Sequence, residues 1–448
     1  MKKVLSIVLL CAVILSAVSC GNTPAVTEAT GTTAPAETSS AEETTGTTTA
    51  DTTVSEAETD APETEGKEIP EDMEYKIENG INERMKALSE LVPGNKARLA
   101  KVLKRAQAGE EITVAYLGGS ITQGSSAGPG ACYADLTTKW LQEQFPDAKI
   151  TAVNAGIGAT GSYIGVYRTD RDVLVHKPDL VFIDFSVNDT TEHTQRNIES
   201  YDGVLRKLWL SESAPAIVTI AMTMEDGTSF QEQHSAVCAA YDIPMISYKN
   251  AILDVIDNGH IVWKDISDDN IHPNVPGHAV LTELITSYLQ GVIDELDTID
   301  TEKESDFSTV YASDKYSTAA LIVPENDTPA NATGWETKLD IFGNFGGYWQ
   351  VRSGDGSFEG VEPLKFEVEA KSIGVFYGKL VSKGGTFDVV VDGEVAKTIN
   401  SDFKGGWGSY VEAEAVIDFD ECGTHTVEIV PHTGNGAVVR ISAIAITK

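Results

Sequence analysis

At 448 residues the chain is too long for one compact domain and has room for two or three. Its 41% hydrophobic content is that of an ordinary globular protein, enough for a sizeable core. A formal net charge of −35 argues against nucleic acid as a partner, because phosphate binding needs clustered Lys and Arg.

Met1, Lys2 and Lys3 make a short basic start, and residues 4–18 form a nearly unbroken apolar run of the kind found in secretory leaders. The run ends in Ala17-Val18-Ser19-Cys20-Gly21, which resembles a bacterial lipobox, with Ala17 where Leu is usual. The resemblance implies a lipoprotein signal peptide over residues 1–20, lipidation of Cys20, and a secreted chain anchored at the bacterial cell surface. The alternative is an ordinary signal peptide cut near Ser19. Residues 21–66 are almost entirely Thr, Ala, Glu, Ser, Pro and Gly, with no Lys, Arg or aromatic residue. Such a stretch cannot bury enough surface to offset the entropy of ordering it, which predicts a disordered linker over 21–72. No later run is apolar for long enough to cross a membrane, so membrane contact is expected only through Cys20. Cys132, Cys238 and Cys422 are far apart, with no C-x-x-C pair and no Cys/His metal spacing. Buried free thiols are expected for most of them, and neither a metal nor another cofactor is called for.

Leu99, Val102, Leu103 and Ala106 share one face of a helix over residues 95–106. Strands follow at 112–118, 149–154, 179–185, 216–222 and 244–248, with helices near 131–145, 165–176, 196–211, 229–241 and 276–293. Runs rich in Val, Ile and Phe, separated by helices, predict a central parallel sheet of about five strands covered on both faces. Residues 73–298 are therefore read as a three-layer α/β/α domain. No glycine-rich phosphate loop opens a helix, so nucleotide binding has no support.

Past residue 300 helix periodicity gives way to alternation, as in Phe366-Glu367-Val368-Glu369-Ala370. Asp392-Gly393 is a hairpin signal, and a second turn is expected at residues 433–436. Many short strands with Gly-rich turns predict an all-β, jelly-roll-like sandwich over residues 299–448. Trp335, Tyr348, Trp349, Trp407 and Tyr410 could form a sugar-stacking platform there; core and turn packing is the competing reading and stands slightly ahead.

Four segments sit at or beyond carboxyl ends of the predicted strands, where functional groups gather in an open parallel sheet. They hold Ser120 after the first strand, Gly156 after the second, Asn188 after the third, and Asp269-Asn270-Ile271-His272-Pro273 before the last helix. A Ser hydroxyl needs a base to take its proton, and the imidazole of His272 titrates in the right range. Asp269, three residues earlier, can reach the other ring nitrogen and fix the tautomer. The oxyanion formed on attack needs donors, for which the N–H groups of Ser120 and Gly156 and the amide of Asn188 are the candidates. His176, His193, His234, His260 and His278 have no matching block and are read as structural or solvent-facing, and Asp189 as ordering its loop.

The order Ser120, Gly156, Asn188, then Asp269-x-x-His272 resembles the four blocks of the SGNH/GDSL hydrolase family over roughly residues 95–295. The family's Gly-Asp-Ser is here Gly118-Gly119-Ser120, and its Gly-x-Asn-Asp is Ser186-Val187-Asn188-Asp189. Gly-Gly-Ser-Ile-Thr resembles a subgroup that includes acetyl-polysaccharide esterases. The resemblance implies a flavodoxin-like fold and metal-free hydrolysis of acyl esters, with O-acetylated polysaccharide as substrate and partner; glycan binding by the C-terminal domain would be an accessory role of the aromatic platform alone. The alternatives are a lipid-directed esterase or lysophospholipase, and an inactive surface glycan-binding lipoprotein.

Overall fold

The computed structural model describes residues 68–190, 193–353, 357–432 and 437–448. The expected signal peptide with Cys20, most of the expected linker and the turn at 433–436 lie outside the described residues. The first sheet contains β1 (Glu90–Val92), β2 (Glu111–Gly118), β3 (Lys149–Gly156), β4 (Leu180–Asp184), β5 (Ala216–Ala221) and β6 (Met245–Ser247), in the order β1-β6-β5-β4-β2-β3. The last five pair in parallel, and β1 runs antiparallel along β6.

Counted in chain order, the parallel strands run 2-1-3-4-5, the flavodoxin-like arrangement. The chain first goes one way from β2 to β3, then returns to lay β4 on the other side. A crevice opens at that reversal, outside the carboxyl ends of β2 and β4. β4 and β5 are buried along their whole length, as a sheet centre covered by helices requires. β3 is half exposed, as an edge strand should be. Leu99, Val102, Leu103 and Ala106 are all buried in the helix Ala97–Gln107, the face their spacing predicts.

Several short elements were not anticipated, among them β1 and the helix Tyr248–Asp257. β1 has three residues, too few to show a period. The helix Tyr248–Asp257 buries Tyr248, Ala251, Ile252 and Val255 and takes Ser247 as its N-cap.

The second sheet is made by β7 (Ala320–Ile322), β8 (Glu336–Phe342), β9 (Gly346–Arg352), β10 (Leu364–Val381), β11 (Thr386–Val391), β12 (Glu394–Asn400), β13 (Asp402–Phe403), β14 (Tyr410–Pro431) and β15 (Val438–Thr447). Its main path is β12-β11-β14-β10-β15-β9-β8, all antiparallel. Trp349 and Val351 of β9, Phe387 and Val389 of β11 and Ile441 of β15 meet in one core, so the sheet curls around its own apolar face. Asp392-Gly393 forms the expected tight hairpin, both residues at positive φ.

A further core joins the two sheets. Tyr163 and Tyr167 of the helix Ser162–Asp172, Tyr316 of the connecting segment and Phe376 of β10 form a buried ring cluster with centroids 5.4–6.2 Å apart. The connecting segment also adheres to the α/β domain, where Phe307 stacks on Trp209 at 4.7 Å and on Tyr241 at 4.1 Å. An interface this apolar fixes the β-domain against the α/β domain.

Candidate active site

Ser120 begins a single helical turn, Ser120–Gln123, directly after β2. A side chain at Gly119 would run into the amide of Asn188, so the second glycine of Gly-Gly-Ser is what lets the loop after β4 close on the serine turn. Arg168, wholly buried, steadies this turn from behind. Its guanidinium donates to the carbonyls of Gly118 at 2.9 Å and Ala155 at 2.6 Å, tying together the ends of β2 and β3.

His272 reaches the serine from the opposite rim. Its Nε2 lies 2.9 Å from Ser120 Oγ, and its Nδ1 lies 2.8 Å from Asp269 Oδ2. The other carboxylate oxygen of Asp269 accepts the N–H groups of Ile271 and His272, both at 2.7 Å. Partial burial works against the charge on Asp269, but the N–H and ring bonds from His272 and the N–H of Ile271 outweigh it and hold the carboxyl below its usual range. The carboxylate is therefore ionised at neutral pH and can support an imidazolium.

The loop is anchored from below. Ser267 Oγ lies 2.8 Å from the Asp269 carbonyl and 2.6 Å from that of His272, and Trp263 Nε1 donates to Asp269 O at 2.7 Å. Asn274 then caps the last helix, Val275–Asp294, by accepting from Gly277 N, so the histidine sits one step before a rigid element.

The structure brings together Ser120, Asp269, His272 and Asn188, but not Gly156 as a donor. The Gly156 N–H is spent on Asn154 Oδ1 at 2.9 Å, and a Cβ there would strike the backbone of Gln123. Gly156 is a packing glycine that lets β3 approach the serine turn. The cleft wall at this point is made two residues later, by Gly158 and Ala159. The Gly158 N–H is taken by Gln123 Oε1 at 2.7 Å. Ala159 holds φ at 61°, and its N–H meets no acceptor among the described residues. A left-handed alanine has no signature in sequence, whereas a glycine after a strand does.

Ser186, which replaces the expected glycine, is buried and bonds Asp184 Oδ1 at 3.0 Å and the Met222 N–H at 2.6 Å, linking β4 to the end of β5. Asp189 orders its loop by accepting from Ser162 N at 2.8 Å and facing His234 Nε2 at 3.0 Å. His278 is buried and accepts the Tyr133 N–H at 3.2 Å, His260 pairs with Asp72, and His176 is exposed. Cys132 and Cys238 are buried free thiols, and Cys422 is an exposed one. Among the described residues no group of His, Cys, Asp and Glu is placed to hold a metal, and no helix is long and apolar enough to cross a membrane.

The serine and histidine open into a cleft of about 660 Å³. Val187, Met224 and Ile271 give it an apolar patch, and the β-domain supplies the facing wall with Asn344, Trp407 and Tyr410. Trp407 stacks on Tyr410 at 4.8 Å and is 65% exposed. The five aromatic residues singled out in the sequence thus divide. Trp335, Tyr348 and Trp349 are buried and belong to cores, while Trp407 and Tyr410 face the serine.

A flavodoxin-like sheet carrying a Ser–His–Asp arrangement at its topological switch defines a hydrolase domain, and comparison with known proteins agrees. Residues 116–280 match the GDSL-like Lipase/Acylhydrolase family. The chain is 24% identical over 199 residues to an acetylxylan esterase of Geobacillus stearothermophilus, covering 37% of this chain and 88% of that one. A crystal structure of a two-domain esterase active on acetylated mannans superposes with a TM-score of 0.73 at 29% identity, over 81% of this chain and 98% of the other. A crystal of such an esterase grown with mannopentaose gives 0.71 at 29% identity, over 83% and 98%. The chain is a carboxylic ester hydrolase with an SGNH/GDSL-type domain followed by an all-β domain.

Proposed function

We propose that the chain is an extracellular serine esterase that removes O-acetyl groups from polysaccharides, held at the cell surface through Cys20. The hydrogen-bonded line Ser120–His272–Asp269 at the base of a cleft with an aromatic far wall is the observation that carries this reading. Ser120 Oγ attacks the acetyl carbonyl while His272 Nε2 takes its proton. The oxyanion receives the N–H of Ser120, the amide of Asn188 and, in place of Gly156, the N–H of Ala159. His272 returns the proton to the departing sugar oxygen, leaving acetyl-Ser120. A water molecule, deprotonated by His272, then releases acetate and restores the serine. Trp407 and Tyr410 offer a flat apolar face of the kind on which a pyranose ring stacks.

The relatives named for acetylxylan and acetylated mannans support a glycan substrate. The test is acetate release from acetylated xylan and acetylated mannan by the purified protein. Ser120→Ala should lower it by roughly a thousandfold or more. Full activity in that variant, or release confined to acyl chains of medium length and longer, would overturn the reading. Mass spectrometry of the mature N-terminus checks lipidation at Cys20.

A further inference from the structure

Beyond Trp407 and Tyr410 the groove continues. A second cavity of about 320 Å³ shares Ala159, Val187, Asn188 and both rings with the catalytic cleft, so the two spaces adjoin along these residues. Its walls add Tyr163 and Arg196 from the α/β domain and Glu412 from β14.

Arg196 stands in the first turn of the helix Thr194–Trp209 and lays its guanidinium over the Tyr163 ring at 4.4 Å. The stacking orients the guanidinium plane and leaves its edge for a ligand. Its Nε is buried and meets no acceptor, and no carboxylate of the described residues forms an ion pair with the group. Of the acids nearby, Glu199 accepts from Gln195, Glu414 pairs with Lys397 and Asp418 with Lys315. Asp189 is held by Ser162 and His234. Glu412 accepts from the Tyr410 hydroxyl and from Ala413 N, both at 3.1 Å. Among the described residues this half-buried guanidinium has no ion-pair partner, so its charge is available to an anionic group in the cavity. Its planar fork suits a carboxylate better than a neutral hydroxyl.

We propose that this second cavity is a subsite for a carboxylate-bearing sugar, a uronosyl unit near the acetylated residue, recognised by Arg196. The inference rests on the esterase reading above and adds the charge of the preferred glycan to it. The sugar ring would lie against Trp407 and Tyr410, with its carboxylate turned to the guanidinium and its acetylated neighbour over Ser120.

The experiment uses full-length Ser120→Ala protein, which binds without turning over. It is titrated calorimetrically with xylotriose and with the same trisaccharide carrying one glucuronosyl side group. The acidic ligand should bind about tenfold more tightly at low salt, as a charge-assisted pair allows. Arg196→Gln in the same background should erase the difference, and about 0.5 M salt should shrink it. Arg196→Gln in the active chain should leave hydrolysis of a nitrophenyl acetate unchanged, which shows that the variant folds. Equal affinity for the two ligands, a preference that survives Arg196→Gln, or no binding of either would overturn the proposal. Failure of the wild-type chain to release acetate from any acetylated glycan would instead sink the esterase reading, and would leave the measured charge preference standing.

Discussion

Asp184 ends β4 beneath the serine turn, 2% exposed, with the N–H and hydroxyl of Ser186 on one oxygen. Burial pushes its carboxyl up to about 7. His278, under the other side of the site, is driven down to about 4, also by burial. The two act on stability with opposite signs. The native state holds a proton on Asp184 that the unfolded chain loses near pH 3.9, so this group's contribution falls as pH rises from about 4 to about 7. The unfolded chain protonates His278 near pH 6.5 while the native state does not until about 4, so that contribution rises with pH across the same range. Between about pH 4 and 6.5 the slopes oppose each other. Asp184→Asn keeps an acceptor for Ser186 and removes one slope. The stability of the variant relative to the wild type should therefore climb with pH across that window, by up to about 1.4 kcal/mol per pH unit. Urea midpoints at pH 4.5, 5.5 and 6.5 measure the difference, and a constant offset would show that Asp184 does not titrate there.

At the scale of elements, the site depends on how single loops are held by the strands and helices beneath them. The loop Lys404-Gly405-Gly406-Trp407-Gly408-Ser409 joins β13 to β14 and carries the exposed indole to the cleft, where Phe403 and Tyr410 brace it edge-on and face-on. Trp407→Ala removes a stacking surface but touches neither Ser120 nor His272. We expect KM on acetylated oligosaccharides to rise about tenfold, with kcat/KM on a nitrophenyl acetate nearly unchanged. Equal loss on both substrates would mean that the loop acts on the serine itself. The element scale also shows what the sequence could disclose. β2, β4 and β5 were legible because continuous apolar runs between helices admit few other readings, and Asp269-x-x-His272 because its spacing is a local geometric constraint. The support beneath that loop, Ser267 and Trp263, was not legible, since a hydroxyl and an indole carry no mark of the carbonyls they will meet. Nor was Arg168, whose partners are main-chain carbonyls of distant strands. Trp407 and Tyr410 could not be separated from Trp349 without knowing which residues the curl of the second sheet encloses.

For the whole molecule, the cleft has walls from both domains, so its width depends on how the β-domain is fixed to the α/β domain. That fixing is done by ring contacts. Tyr167 lies edge-on to Tyr316 at 5.8 Å and to Phe376 at 5.6 Å, and all three are buried. The same core includes Val166 and Leu205 of the α/β domain and Ala443 of β15. A core that runs unbroken from one domain into the other makes independent unfolding unfavourable, because either half would expose it alone. The protein should therefore melt in one calorimetric transition with matching calorimetric and van't Hoff enthalpies. Tyr167→Ala leaves a cavity at the junction and should lower stability by about 3–5 kcal/mol, the range for loss of a large buried aromatic side chain. Because the junction also sets the distance from Trp407 to Ser120, the variant should lose more activity on acetylated glycan than on a small ester, at temperatures where it is still folded. Two separate melting transitions in the wild type, or a Tyr167→Ala protein with unchanged stability, would show that the domains stand independently and that the cleft is not held by this core.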